Sequence, residues 1–192
     1  MLKADGHCLF AINYGRKSHF SFNGMNDINE STTEVIAFIQ SVLQRTGAQQ
    51  VKLIGHSQGG LLAFSIARSS ELTGRVNQLI AIAPSLRGTT RVPSHFSSLH
   101  CPACAQQSHT SDFLTSLHEA PINPAGIPTL ILATANDLVV TPVASQFLRE
   151  PNVQNVLLQE KYPDVRATHS GVMHTPEAIE LIHAFLDGDI GY

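Results

Sequence analysis

Long apolar runs, clusters of one charge and a signal-peptide pattern in its opening residues are what this 192-residue sequence lacks. No stretch approaches the roughly 20 apolar residues that a membrane-spanning helix needs. Lys and Arg total 12 against 15 Asp and Glu, with no basic run, and the formal net charge is −3. That balance excludes a nucleic-acid binder held by phosphate contacts. The opening MLKADGHCLF offers neither the basic-then-apolar pattern of a signal peptide nor an amphipathic Arg-rich presequence. Charged residues are scarce at 14%, against about 25% in an average soluble protein. Cysteine is scarce too: Cys8, Cys101 and Cys104 are the only three, an odd number that does not fix the redox compartment. What is plentiful is apolar residue, 43% of the chain, enough to bury a core and to exclude disorder. Ten histidines would reverse the sign of the net charge on full protonation, so solution behaviour should change near pH 6.

Apolar strand-like runs and helical runs alternate along the chain. Cys8 to Asn13 (CLFAIN) reads as a short buried strand. Between Asp27 and Arg45, Val35, Phe38, Ile39, Val42 and Leu43 recur at helical spacing, with Ser31 and Glu34 as a capping box and Gly47 as the stop. Strands follow over Val51 to Ile54, Val76 to Ala83, Pro128 to Ala135 and Val153 to Gln159. Helices are expected over Leu61 to Arg68, Val143 to Leu148 and Pro176 to Leu186, the last with Pro at its first position. Near-continuous apolar strands alternating with helices predict one α/β domain over residues 1–192, a mostly parallel sheet covered on both faces. The stretch from Pro84 to Gly126, rich in proline and without clear periodicity, reads as a lid or binding element. Met1 to Gly6 reads as the last turn of a helix with a glycine stop, which predicts an absent upstream segment.

The sharpest signal is Gly55-His56-Ser57-Gln58-Gly59, set between a strand and a helix. A nucleophile at the tip of a tight strand-to-helix turn projects above the carboxyl edge of the sheet, and flanking glycines let the backbone close. The amide of Gln58 would then face a developing oxyanion, aided by the N-terminus of the next helix. By itself G-x-S-x-G can be an ordinary glycine-rich turn; the strand before it, the helix after it and Gly60 favour Ser57 as nucleophile.

Such a serine needs a base, and the base needs an acid to fix its tautomer, in chain order Ser, Asp or Glu, His. Asp137 follows the strand PTLILATA, at the carboxyl edge where a site belongs. Its competitors are weaker: Asp112 suits a helix cap, Asp164 a polar loop and Asp187 the end of the last helix. Among histidines, His169 in THSG lies between the last strand and the last helix, beside Gly171. His174 follows it, His183 falls within a helix, and His56 lies on the incoming strand, turned away from Ser57 by alternation.

The pieces FAINYG, LIGHSQGG, APSLRGT, CPACAQQ with SDFL, ANDLVVTP and THSGVMHTPEA occur in that order. Together they make the chain from Cys8 onward resemble the secreted class 2 lipases of actinobacteria and fungi, similar to the yeast lipase B group. The resemblance implies an α/β-hydrolase fold, a triad of Ser57, Asp137 and His169, and Gln58 as an oxyanion-hole amide. It makes Pro84 to Gly126 an acyl-binding wall or lid, implies an acyl ester or lipid substrate met at an interface, and needs no cofactor or metal. Secretion is likewise implied by the family and not by any leader in this chain. In many relatives an Asp precedes the base; here Thr168 stands there. Relatives also carry an HG or PG loop that supplies a second oxyanion donor, and nothing before Cys8 matches it, so the chain reads as the C-terminal part of such an enzyme.

His95, His100, Cys101, Cys104 and His109 crowd into a short stretch. C-x-x-C is a metal half-site, but no second C-x-x-C or H-x-x-x-H completes it, and a redox motif would need a strand-to-helix turn. The resemblance implies a local Cys101–Cys104 disulfide; free thiols rank second and a metal third. Two functions follow. One is a lipase-type carboxylic ester hydrolase working through an acyl-enzyme. The other is a weak or inactive α/β-hydrolase remnant that binds lipid or a partner, which the unmatched oxyanion loop motivates.

Overall fold

The computed structural model describes residues 2–16, 22–92, 100–123 and 126–189. Pro93, His95 and Pro124, singled out above, lie outside the described residues. Four strands form one sheet in the order β1 (Val51–His56), β2 (Val76–Ile82), β3 (Thr129–Ala133), β4 (Val153–Leu157), every pair parallel. Helix α1 (Ile28–Thr46) precedes β1, α2 (Gln58–Ala67) joins β1 to β2, α3 (Pro102–Gln106) and α4 (Asp112–Leu117) lie between β2 and β3, and α5 (Leu158–Lys161) and α6 (Pro176–Asp187) follow β4.

Alternation along the strands splits the core into two layers. Leu79, Ala81 and Ile131 face one side and pack with α1 and α2 through Ile36, Ile39, Leu61 and Phe64. Ile80, Ile82, Leu130 and Leu132 face the other and pack with Val165, Ala167, Val172 and the α6 residues Leu181 and Phe185. Buried on both faces, β3 is apolar at four of its five positions, Thr129 being the exception.

Helix α1 begins differently from the expected capping box. Asp27 is the cap, its Oδ1 accepting from the amides of Asn29 at 2.7 Å and Glu30 at 3.3 Å. The Gln106 amide donates to Asp27 Oδ2 at 2.6 Å while Gln106 Oε1 accepts from the Ile28 amide at 2.7 Å, which locks α1 to α3. A carboxylate with two helix amides and a second donor outbids a hydroxyl one turn later. Ser31 is buried instead, and Glu34 Oε2 accepts from the Gly15 amide at 2.9 Å, anchoring the NYG segment. Gly47 ends α1 at φ 73°, as its place in the sequence suggests.

CLFAIN is not a strand. Residues 7–16 form no strand, and among the described residues β1 pairs in the sheet with β2 alone. A near-continuous apolar strand needs cover on both faces, and here a cleft of about 650 Å³ stands between Cys8, Leu9 and Phe10 on one side and Val51, Leu53 and Ile54 on the other. Leu9 and Phe10 remain more than half exposed. The other differences are of length: Val143–Gln146 is a single 3-10 turn, and β4 gives way to α5 at Leu158.

Within the stretch from Pro84 to Gly126, the described residues are anchored rather than free. Cys101, Ala103, Leu114 and Ile122 are buried in the α1/α2 layer. Cys101 and Cys104 are joined by a disulfide, and Cys8 is a free, exposed thiol. Gly88 sits at φ 69°, where a Cβ would strike Gln107 O and Leu114 Cδ1, each at 2.6 Å, so α3 and α4 close down on the RGT turn.

Candidate active site

Ser57 stands where β1 turns into α2, at φ 56° and ψ −120°, a conformation an L-residue adopts only when its surroundings impose it. The surroundings are visible. The Ser57 amide donates to Ile82 O at 2.8 Å, and Ser57 O accepts from the Gly60 amide at 3.0 Å. A Cβ on Gly55 would overlap the Gly59 carbonyl, and one on Gly60 would meet Pro84 Cβ at 2.8 Å. Gly59 is roomier: a Cβ there would meet only Tyr14 Oη, at 3.8 Å. Gln58 opens α2, so its amide has no acceptor within the helix. Its side chain reaches the other way and donates to Gly24 O at 2.9 Å.

Asp137 lies in the loop after β3 and is 2% exposed. Oδ1 accepts from the amides of Val139 at 2.8 Å and Val140 at 2.9 Å. Oδ2 accepts from His169 Nδ1 at 2.7 Å and from the Gln146 side-chain amide at 2.9 Å. Burial alone would raise the Asp137 carboxyl, but the His169 hydrogen bond and the Val140 and Val139 amides outweigh it and hold it below its ordinary value. An ionised carboxylate can only accept, so His169 carries its proton on Nδ1 and leaves Nε2 as the basic nitrogen.

His169 is itself buried, at 7% exposure, in the loop between α5 and α6. Thr134, fully buried at the end of β3, donates to Ala167 O at 2.7 Å. Gln159 donates to Thr134 Oγ1 at 3.0 Å and to Val165 O at 3.1 Å, so the loop of the acid and the loop of the histidine share one brace. Thr168, where relatives are expected to carry Asp, turns the loop: its Oγ1 accepts from the Gly171 amide at 3.2 Å and its carbonyl from the Val172 amide at 3.0 Å. The competing residues lie elsewhere. Asp112, Asp164, Asp187 and His174 are exposed, and His183 faces Asp5 at 3.4 Å.

Three neighbours of the site were not legible as such. Gln146 and Thr134 carry no motif, and only their burial beside Asp137 and His169 marks them. His56 was legible as turned away from Ser57; what it turns toward is His169, with ring centroids 4.7 Å apart. The loop tip beyond Asp137 exposes Leu138 and Val139, and Val139 O accepts from Thr89 Oγ1 at 2.6 Å, which ties the APSLRGT segment to the acid loop. Among the described residues no group of three or more His, Cys, Asp or Glu could hold a metal. Nor is any helix of them long and apolar enough to cross a membrane.

An all-parallel sheet that feeds a strained strand-to-helix turn, with a buried Asp–His pair on later loops of the same edge, is the architecture of an α/β-hydrolase. Solved structures agree. Aspergillus fumigatus lipase B is 25% identical, with a TM-score of 0.72 over 81% of this chain and 41% of that one. A mature lipase of Bacillus licheniformis is 14% identical, with a TM-score of 0.55 over 71% and 67%. Est1E of Butyrivibrio proteoclasticus, solved with ferulic acid, is 16% identical, with a TM-score of 0.56 over 90% and 72%. The sequence model of the palmitoyl protein thioesterase family matches residues 7–162, and the chain belongs to that family. No curated protein sequence matches it significantly. The matched part of the chain covers 41% of the Aspergillus lipase.

Proposed function

We propose that this chain is a serine hydrolase of acyl esters, of the secreted class 2 lipase type, with Ser57, Asp137 and His169 as its triad. The observation that carries this reading is the buried 2.7 Å contact between His169 Nδ1 and Asp137 Oδ2, on the same sheet edge as the strained Ser57 turn. His169 Nε2 takes the Ser57 proton as Oγ attacks the acyl carbon; the same proton then leaves with the alcohol, and water repeats the sequence to release the acid. The Gln58 amide, at the positive end of α2, stabilises the oxyanion in both halves. The described residues of the stretch from Pro84 to Gly126 contribute the acyl-binding wall within a single catalytic domain. Exposed Leu138 and Val139, next to Asp137 on the acid loop, offer apolar surface suited to an acyl chain or a lipid interface.

The family match favours one variation on the substrate. A thioester presents the same acyl carbon and a better leaving group, so an S-acyl chain is the second substrate to try. The experiment is turnover of p-nitrophenyl esters and an S-acyl thioester of increasing chain length, beside Ser57→Ala and labelling by a fluorophosphonate. Ser57→Ala should abolish both turnover and labelling. Asp137→Asn and His169→Ala should each cost about 10⁴-fold in kcat, and His174→Ala should cost nothing. Wild-type turnover in Ser57→Ala, or labelling of another serine, would refute the reading.

A further inference from the structure

The residue before Ser57 has work of its own. Alternation along β1 sends Val51 and Leu53 into the α1/α2 layer and therefore sends Lys52, Ile54 and His56 to the opposite face. That face belongs to α6 and the histidine loop: Lys52 Nζ donates to Leu186 O at 2.9 Å. His56, last on the strand, meets His169 twice. Its Nε2 lies 2.9 Å from the His169 carbonyl oxygen, and the two rings are tilted at 47° with centroids 4.7 Å apart. A carbonyl can only accept, so Nε2 donates, and the His56 tautomer is settled.

His169 is thus fixed at both ends. Asp137 holds its ring through Nδ1, and His56 holds its backbone and covers one side of the ring. A loop histidine pinned by its side chain alone could still pivot about the main chain, moving Nε2 relative to Ser57. The second tie comes from the residue bonded directly to Ser57, so the strand that presents the serine also sets the height of the base.

We infer that His56 is a positioning residue that registers the His169 loop against the Ser57 turn through its Nε2–H. This rests on the assignment of Ser57 and His169 to the reaction. The chemistry requires His56 to stay neutral beside a histidine that becomes charged in each turnover. Burial chiefly, with the His169 and His174 charges adding to it, lowers the pKa of His56 from its ordinary value, although the His169 carbonyl and the Asp137 charge pull the other way.

Two substitutions separate the hydrogen bond from the packing. His56→Phe keeps a ring against His169 and loses the donor; His56→Gln loses the ring and places an amide nitrogen where Nε2 sits. His56→Phe should lower kcat on a p-nitrophenyl ester by about 10- to 100-fold, leave KM and the melting temperature near the wild-type values, and slow fluorophosphonate labelling in proportion. His56→Gln should recover most of that loss. Independently of turnover, the low-field NMR signal of the His169 Nδ1–H bonded to Asp137 should broaden or vanish in His56→Phe and persist in His56→Gln. Equal kcat in wild type and His56→Phe, or equal loss in both variants, overturns the inference. If Ser57→Ala retained activity, the triad would be wrong, and the NMR comparison would still decide what His56 does to His169.

Discussion

Gln146 and His169 share one oxygen of Asp137: both donate to Oδ2, at 2.9 and 2.7 Å. The second hydrogen of the Gln146 amide goes to Val140 O at 3.1 Å, and the Val140 amide donates to Asp137 Oδ1. The ring of contacts closes around the carboxylate, and it admits only one orientation of the Gln146 amide, since a flipped oxygen would face two acceptors.

Gln146→Met keeps the volume and removes both donors. Hydrogen bonds to a charged group contribute about 1.5–3 kcal/mol, and a loss of that size should appear in urea denaturation. Turnover should fall as well, because Asp137 gains freedom to rotate away from His169. Unchanged stability together with unchanged kcat would mean that the carboxylate is held adequately by the Val139 and Val140 amides alone.

The depressed Asp137 pKa sets a pH dependence. Folded Asp137 holds its proton less tightly than the unfolded chain does, so acidification favours the unfolded state. The stability it contributes is complete above the ordinary carboxyl range and drains as pH falls through the lower folded value. The gap in melting temperature between wild type and Asp137→Asn should therefore be widest near neutral pH and shrink as pH drops below about 4. A gap constant down to strong acid would show that Asp137 contributes through shape, not charge.

The three glycines around Ser57 should respond in opposite ways. Gly55→Ala and Gly60→Ala drive a methyl group into the Gly59 carbonyl and into Pro84, and overpacking of that kind typically costs about 1–3 kcal/mol. Gly59→Ala, inside α2 and open to Tyr14 only at 3.8 Å, should be neutral or stabilising. Thermal melts of the three variants give the order directly, and a destabilised Gly59→Ala alongside an unharmed Gly55→Ala would reverse it.

The four strands, the helices α1, α2 and α6, the parallel sheet and the turn at Ser57 were legible because each leaves a periodic or steric trace in a short window. Short apolar runs such as LIAIA and TLILA, bounded by turn residues, suit strands buried on both faces, and Gly55, two residues before a serine, announces a close backbone approach. Asp137, legible from its place after a strand, and His169, from its place between the last strand and the last helix, are in contact. What escaped were features that depend on distant partners. The helix cap moved from Ser31 to Asp27 because Gln106, remote in sequence, adds a second donor. CLFAIN has strand-like composition, yet among the described residues no strand pairs with it. Gln146, Thr134 and His56 matter through what they touch, and no single-sequence pattern encodes that.

The two layers of the core have a kinetic corollary. The helix that carries Ser57 is rooted in the α1/α2 layer, while the loop that carries His169 is rooted in the α6 layer. The proposed nucleophile and base therefore hang on different layers, and their mutual placement depends on both layers seating on the sheet at once. Turnover becomes a gauge of that seating. On gentle heating or in dilute urea, activity should fade before helical circular dichroism does, and the width of the interval measures how loosely the two halves are riveted.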